Sequence, residues 1–255
     1  MTTDGTSRRR LGVVLLSGGL DSTTAAAMVQ REGVELSALT VHYGQSHARE
    51  LGSARRIAEV LGIPHRVVDA TFFGELASYS ALTQPLQHTR PLDRTPGAMS
   101  DDIPVTYVPL RNTYLLTLAA AALESVALEA IESQGVDPTD LSAAIVIGAN
   151  AIDYSGYPDC RPEYYRAATE TLRLGSKLGT TYHVPITILT PLIEKTKADI
   201  VRLATELGAP IEHTWSCYGP GPSPCGRCDS CLLREKGFRE AGLVDPARTL
   251  ARAEA

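Results

Sequence analysis

The segment Ser17-Gly-Gly-Leu-Asp-Ser22 carries the clearest chemistry in the chain. It lies between an apolar run, Leu11–Leu16, and an alanine-rich stretch that begins at Thr23. A strand that turns into a helix here aims backbone N–H groups and the positive helix end at one point, which suits an anion. Gly18 and Gly19 let the backbone approach a phosphate closely, and the Ser17 and Ser22 hydroxyls can donate to it. The expected phosphate-binding set runs from Leu16 through Leu20 to Thr23. Asp21 is the odd member, because a carboxylate repels a phosphate unless Mg²⁺ bridges the two. It is therefore expected beside Mg²⁺. The plainer reading is a Gly-Gly turn that caps a helix. The segment has neither the Gly-Lys-Ser/Thr of a Walker A loop nor the G-x-G-x-x-G dinucleotide pattern.

A second cluster is near the C-terminus. Cys217, Cys225, Cys228 and Cys231 have the spacing C-x7-C-x2-C-x2-C on a stretch rich in proline and glycine. Four thiolates on such a segment match a tetrahedral Zn²⁺ site, and a site filled by four sulfurs leaves no place for water, so the ion would be structural. Disulfides and an iron–sulfur cluster are the alternatives. Too few basic and aromatic residues surround the cluster to make it a nucleic-acid module; Arg227 and Arg234 alone do not suffice.

Three further segments combine charge with turn residues. Val41-His-Tyr-Gly-Gln-Ser-His47 ends an apolar run, and His42 and Tyr43 are candidates for nucleotide contact, against the reading that such histidines only cap a strand. Val108-Pro-Leu-Arg-Asn112 places Arg111 at a helix start, unfavourable for the helix dipole but suited to a bound anion; a surface arginine is the alternative. Asp153, Tyr157, Asp159 and Arg161 fall in a turn-rich stretch, 148–161, that also holds Cys160. Cys160 is either a nucleophile or a packing residue, and no base stands beside it in sequence.

These groups need a scaffold that gathers strand ends. Strands are expected at Leu11–Leu16, Leu36–His42, Arg66–Asp69, Ala143–Gly148 and Tyr182–Ile188. Helices are expected at Thr23–Arg31, Ala48–Leu61, Asn112–Gln134, Pro162–Leu178 and Lys195–Gly208, and a loop at Leu82–Pro104. Strand and helix alternate, so the fold class is α/β, a doubly wound parallel five-stranded sheet of Rossmann-like type. Residues 1–10 read as a tail, 11–214 as the α/β domain, and 215–255 as a small cysteine-bearing segment packed on it.

Hydrophobic residues make up 44% of the 255-residue chain, and the formal net charge is −5. That balance speaks against a broad basic face for nucleic acid. No apolar run stands out as a membrane span, and Arg8 to Arg10 do not lead into a signal-peptide core. A cytoplasmic enzyme without a nucleic-acid or membrane partner is expected.

SGGLDS after an apolar strand resembles the signature of the PP-loop ATP pyrophosphatases. Together with HYGQSH, VPLRN, DYSGYPDCR and SCYGP…CGRCDSCLLR, it is similar to the QueC family of queuosine precursor biosynthesis, from about Leu11 to Gly242. The resemblance implies an adenine-nucleotide α-hydrolase fold, and ATP, 7-carboxy-7-deazaguanine and ammonia as substrates. The acid would be adenylated and converted to an amide, and the amide activated again and dehydrated to the nitrile. It implies one structural zinc, Mg²⁺ with ATP, and a homodimer. It makes Lys197 a candidate for the pyrophosphate, with Lys195 as rival. Arg111 would offset phosphate or carboxylate charge, and Asp153, Tyr157, Asp159 and Arg161 would frame the deazaguanine. The family often has a small residue where this chain has Leu110, which is expected to be tolerated if it points into the core. A related ligase acting on another acceptor, a tRNA thiolase and a non-enzymatic ATP- or zinc-dependent module are the competing readings.

Overall fold

The computed structural model describes residues 8–44, 48–80, 107–152, 157–219, 221 and 223–247. The expected tail up to residue 7, the loop 82–104 and Asp153 lie outside them.

The strands are β1 (Arg9–Leu15), β2 (Glu35–His42), β3 (His65–Asp69), β4 (Leu141–Ile147) and β5 (Ile186–Leu189). All neighbouring pairs are parallel, in the order β3-β2-β1-β4-β5. The helices are α1 (Leu20–Arg31), α2 (Ala48–Leu61), α3 (Thr71–Leu76), α4 (Arg111–Glu132), α5 (Pro162–Gly175), α6 (Lys177–Thr180), α7 (Lys197–Leu207) and α8 (Asp229–Ala241). The five-stranded Rossmann-like sheet is thus as expected.

Alternation along β1 explains the two cores. Leu11, Val13 and Leu15 pack with Leu116, Ala119 and Leu123 of α4 and with Leu178 and Ile186. Val14 and Leu16 face the other way, against Ala25 and Ala26 of α1, Ala54 and Ile57 of α2 and Ile200 and Val201 of α7. A strand buried on both faces must be apolar throughout, which is why β1 and β4 were legible. α4 is long and apolar enough to cross a membrane by length and composition, with 22 residues and a mean hydropathy of 1.6. Here, however, it lies along the sheet, with Leu116, Ala119, Leu123, Ala127 and Ala130 in the core.

Several boundaries differ from expectation for local reasons. α1 starts at Leu20, not Thr23, because extended Gly19 is its N-cap and the cap-type residues Asp21 and Ser22 enter the first turn. The expected helix Pro162–Leu178 is two: Ser176 is extended (φ −113°, ψ 147°), and its hydroxyl accepts from Gly179 N to start α6. β5 begins only at Ile186, after His183 at φ 57° and Pro185, which has no N–H to give a ladder. α7 begins at Lys197, capped by Thr196, whose hydroxyl accepts from Asp199 N while the Asp199 carboxylate reaches back to Thr196 N. α3 and α8 had no counterpart among the expected helices.

Leu110 does not point into the core. It is 65% exposed and lies in the left-handed region, φ 54° and ψ 20°, at the N-cap of α4. That conformation suits glycine, which accounts for a small residue at this place.

Candidate active site

With β1 central and β2 and β4 on either side, the chain reverses its winding direction beside the carboxyl end of β1, where such sheets form a crevice. The loop after β1 is braced from within. The Ser22 hydroxyl accepts from Ser17 N at 3.2 Å, lies 3.0 Å from the Ser17 hydroxyl and donates to Gly19 O at 3.2 Å. Thr23 Oγ1 donates to Gly19 O at 2.8 Å. Gly18 has φ +84°, and a Cβ there would lie 2.5 Å from the Glu50 carbonyl oxygen. At Gly148 a Cβ would lie 2.7 Å from Ser22 N. Side chains at these two positions would therefore force α2 and the end of β4 away from the loop.

A cavity of about 280 Å³ opens over this loop. Leu16, Ser17, Gly19, Leu20, Asp21, Ser22, Tyr43, Arg111, Tyr157 and Lys197 line it, so the structure brings together ten of the residues picked from sequence. Gly18 lies behind the loop, against α2, and Thr23 turns into the core. His42 is not in the lining; it stands beside Asp69 of β3, with which it pairs in register, while Tyr43, just past the end of β2, lines the cavity. Arg161 is exposed at the N-cap of α5 and does not line the cavity.

Lys197 Nζ donates to both Asp21 carboxylate oxygens, at 2.9 and 2.7 Å, and is only 7% exposed. The partner of Asp21 in the structure is an ammonium group, because the N-terminus of α7 delivers Lys197 to the first turn of α1. Lys195, the rival, does not line the cavity.

Across the cavity, Arg111 begins α4. Burial alone would lower its pKa, but Tyr43, Tyr157, Asp159 and Cys160 around it hold the charge on and raise it. Asp159 Oδ2 accepts from Asn112 N at 3.2 Å, which gives α4 a cap that its own N-cap residue does not supply. Asp159 Oδ1 is buried with no hydrogen-bond partner among the described residues. Cys160 lines the cavity and accepts from Asn112 Nδ2 at 3.6 Å, and burial, with Asp159 beside it, pushes its thiol up to about 11. A thiol held protonated near neutrality favours the packing reading over the nucleophile.

Sequence reasoning passed over Thr40, Glu50, Asn150, Trp215, Ser216, Tyr218 and Arg234, which also line the cavity. Glu50 and Asn150 follow strand ends, a signal that could have found them. Arg234 gave no such signal: its guanidinium is fixed by Asp245 at 2.6 and 2.8 Å and by the Thr214 hydroxyl at 2.8 Å, all supplied by tertiary structure.

The four clustered cysteines bring their sulfurs within 4.8 Å of one another, with Cys225 and Cys231 4.0 Å apart. A tetrahedron of sulfurs at the usual Zn–S length has edges of about 3.8 Å. Gly219 N and Cys225 N donate to Cys217 Sγ at 3.1 and 3.2 Å, and Cys228 N donates to Cys225 Sγ at 3.4 Å, as suits thiolates. The set can hold a metal ion such as zinc. It touches the phosphate loop through its neighbour Trp215, whose backbone N–H donates to Gly18 O at 2.9 Å. The Trp215 ring lies 5.0 Å under the Arg49 guanidinium.

A profile of the family described as "Queuosine biosynthesis protein QueC" matches residues 11–242. The 7-cyano-7-deazaguanine synthase of Thermoplasma acidophilum is 46% identical over 241 residues, covering 93% of this chain and 91% of that protein. That of Anaeromyxobacter dehalogenans is 47% identical over 247 residues, 95% of this chain and 97% of the other. That of Thermosynechococcus vestitus is 48% identical over 235 residues, 92% and 93% of the two. Among solved structures, an NMN synthetase from Francisella tularensis aligns with a TM-score of 0.42 at 16% identity, over 94% of this chain and 81% of that one. The match to the QueC profile runs from β1 to Gly242, the C-cap of α8, and so takes in the phosphate loop, the cavity wall and all four clustered cysteines: the chain belongs to the QueC family of enzymes.

Proposed function

We propose that this chain converts 7-carboxy-7-deazaguanine and ammonia to 7-cyano-7-deazaguanine, with ATP activating first the acid and then the amide by adenylation. The observation that carries this reading is one cavity that joins the SGGLDS loop and Lys197 to Arg111, Tyr157 and Cys160. An anion site and a site for a charged, planar substrate thereby share a wall. The relatives named as 7-cyano-7-deazaguanine synthases supply the substrate class.

The residue roles follow from charge and place. Backbone N–H groups of residues 17–22 and the N-terminus of α1 receive the phosphates. Lys197 offsets charge on the leaving pyrophosphate, and Asp21 holds that ammonium in position. Mg²⁺ with ATP would neutralise further phosphate charge. Arg111 receives the substrate carboxylate. Asp159 Oδ1, buried without a partner, is suited to an N–H donor of the deazaguanine. Asp153 and Arg161 stay in the proposed substrate set. Cys217, Cys225, Cys228 and Cys231 would hold zinc as a structural ion. A cytoplasmic homodimer is part of the same proposal, and light scattering after size exclusion checks its mass.

The deciding experiment incubates the folded, zinc-loaded protein with the acid, ATP, Mg²⁺ and ammonium, and reads products by mass spectrometry. Amide and nitrile are expected. Absence of both refutes the reading.

A further inference from the structure

The roles above leave one cavity carboxylate unused. Glu50 stands in the first turn of α2 and lines the cavity. Of the other carboxylates around the site, Asp21 is engaged by Lys197, Asp245 by Arg234, and Asp159 by Asn112 N through one oxygen, its other oxygen being assigned above to the deazaguanine. The structure draws no hydrogen bond or ion pair to the Glu50 carboxylate among the described residues. A carboxylate in a cavity built for phosphates and an organic acid repels both, so anion binding does not account for it.

Its place does. The Glu50 carbonyl packs on Gly18 of the phosphate loop. The groups that act on its charge, or on which its charge acts, are Arg111 of α4 and Tyr43 at the end of β2. Asp21 of α1 and Lys197 of α7 face the same cavity from the phosphate side. Glu50 thus lines the cavity with its backbone against the phosphate loop and its carboxyl within electrostatic reach of Arg111, and an acyl group joined to AMP has to span the same two sides. Burial pushes its carboxyl up to about 7, with Arg111 opposing. A group of that kind takes up and gives back a proton near neutrality.

We propose that Glu50 accepts the proton lost by the attacking nitrogen. The inference rests on the reading that ammonia attacks an adenylated carboxylate. The nitrogen lone pair forms the C–N bond, the N–H proton passes to the Glu50 carboxylate, and the C–O bond to AMP then breaks with its electron pair leaving on AMP. Glu50 returns the proton to solvent. In the second activation the nitrogen of the adenylated amide loses a proton to the same carboxylate as AMP leaves and the nitrile forms.

The test compares wild type with Glu50→Gln in three assays: amide formation from ammonium, acid-dependent ATP–pyrophosphate exchange, and trapping of the adenylate by hydroxylamine, which is already uncharged at neutral pH and nucleophilic without a base. Amide formation is expected to fall about 100-fold or more, while exchange and hydroxamate yield stay within about threefold of wild type. Amide formation retained within that margin overturns the proposal. So does parallel loss of all three activities in a folded variant, which makes Glu50 a residue of nucleotide binding. If Glu50→Gln does not fold, Glu50→Asp decides. It keeps a base one methylene away, so it should lower amide formation and spare trapping, and equal loss of both overturns the proposal. Wild type that makes no amide refutes the reaction assignment, a result distinct from an unaffected variant.

Discussion

The Lys197–Asp21 pair offers the sharpest test of how this site is built. Its side chains are 8% and 20% exposed, and both carboxylate oxygens accept from one ammonium. Breaking a buried pair by removing one partner costs about 3–5 kcal/mol. The opening of Asp21 to the cavity puts Asp21→Asn near the lower end, about 3 kcal/mol. That variant leaves a nine-tenths buried ammonium without the Asp21 charge. Lys197→Met keeps the stem that packs against Gly237 and leaves the carboxylate, which is better hydrated and lies in the first turn of α1. The helix terminus returns about 0.5 kcal/mol to it, so this variant should cost less, about 2 kcal/mol. The double variant should cost less than the sum of the two, with a coupling of about 1–2 kcal/mol. Urea unfolding of the four proteins measures this. Repeating it with inorganic pyrophosphate adds the functional reading. The anion should stabilise Asp21→Asn most, because it replaces the lost charge beside Lys197, and Lys197→Met least. A larger loss in Lys197→Met than in Asp21→Asn, with the same pyrophosphate effect on all four proteins, would refute the reasoning.

Other outcomes follow from the same geometry. Chelation of the metal should release the segment from Trp215 to Cys231 and, through the Trp215 N–Gly18 O bond, raise amide exchange in the phosphate loop before the sheet unfolds; protection at residues 17–22 unchanged by chelation would count against this coupling. Arg111→Lys loses the planar fork and should raise KM for the acid by about tenfold or more with little change in KM for ATP, read from steady-state kinetics. Leu110→Ile places a β-branched residue at φ 54° and should destabilise by about 1 kcal/mol although the site is exposed, whereas Leu110→Gly should not; thermal melts separate them. Cys160, with its thiol pushed up to about 11, should resist iodoacetamide at pH 8 in the folded protein, while metal-free Cys225, which is exposed, is alkylated first, as peptide mass mapping would show.

The sheet and the phosphate loop were legible because their signals are local. β1 and β4 are apolar on both faces, and Gly18 and Gly19 sit where only a strand-to-helix turn makes sense of them. Arg111 was legible as a cation at a helix start. What sequence hid was direction and pairing. His42 and Tyr43 are neighbours, and which one reaches the cavity depends on how the chain leaves β2, where His42 is the last residue and sits beside Asp69. Asp21 was read against phosphates nearby in sequence, yet its partner lies 176 residues away. Asp159 looked like a ligand-binding carboxylate; one oxygen caps α4, and the other is left over. Leu110 was tied to side-chain size, whereas the constraint on its position is backbone sign.

Composition marks where the cysteine segment begins but not what it touches. Read by residue type, the chain changes character at Trp215, and the segment is expected to pack on the α/β domain. In the fold, Trp215, Ser216, Tyr218, Ser230 and Arg234 all line the cavity. Trp215 N is bonded to Gly18 O, and Gly237 of α8 packs directly on the Lys197 side chain. A metal held by Cys217, Cys225, Cys228 and Cys231 would therefore fix two things at once: the turn that touches the loop 17–22, and the start of the helix that packs on Lys197. An ion with no open coordination position can control turnover in this way, because it sets the geometry of groups that meet the phosphates. The segment is a wall of the site, and its folding and the site's affinity for anions are expected to change together.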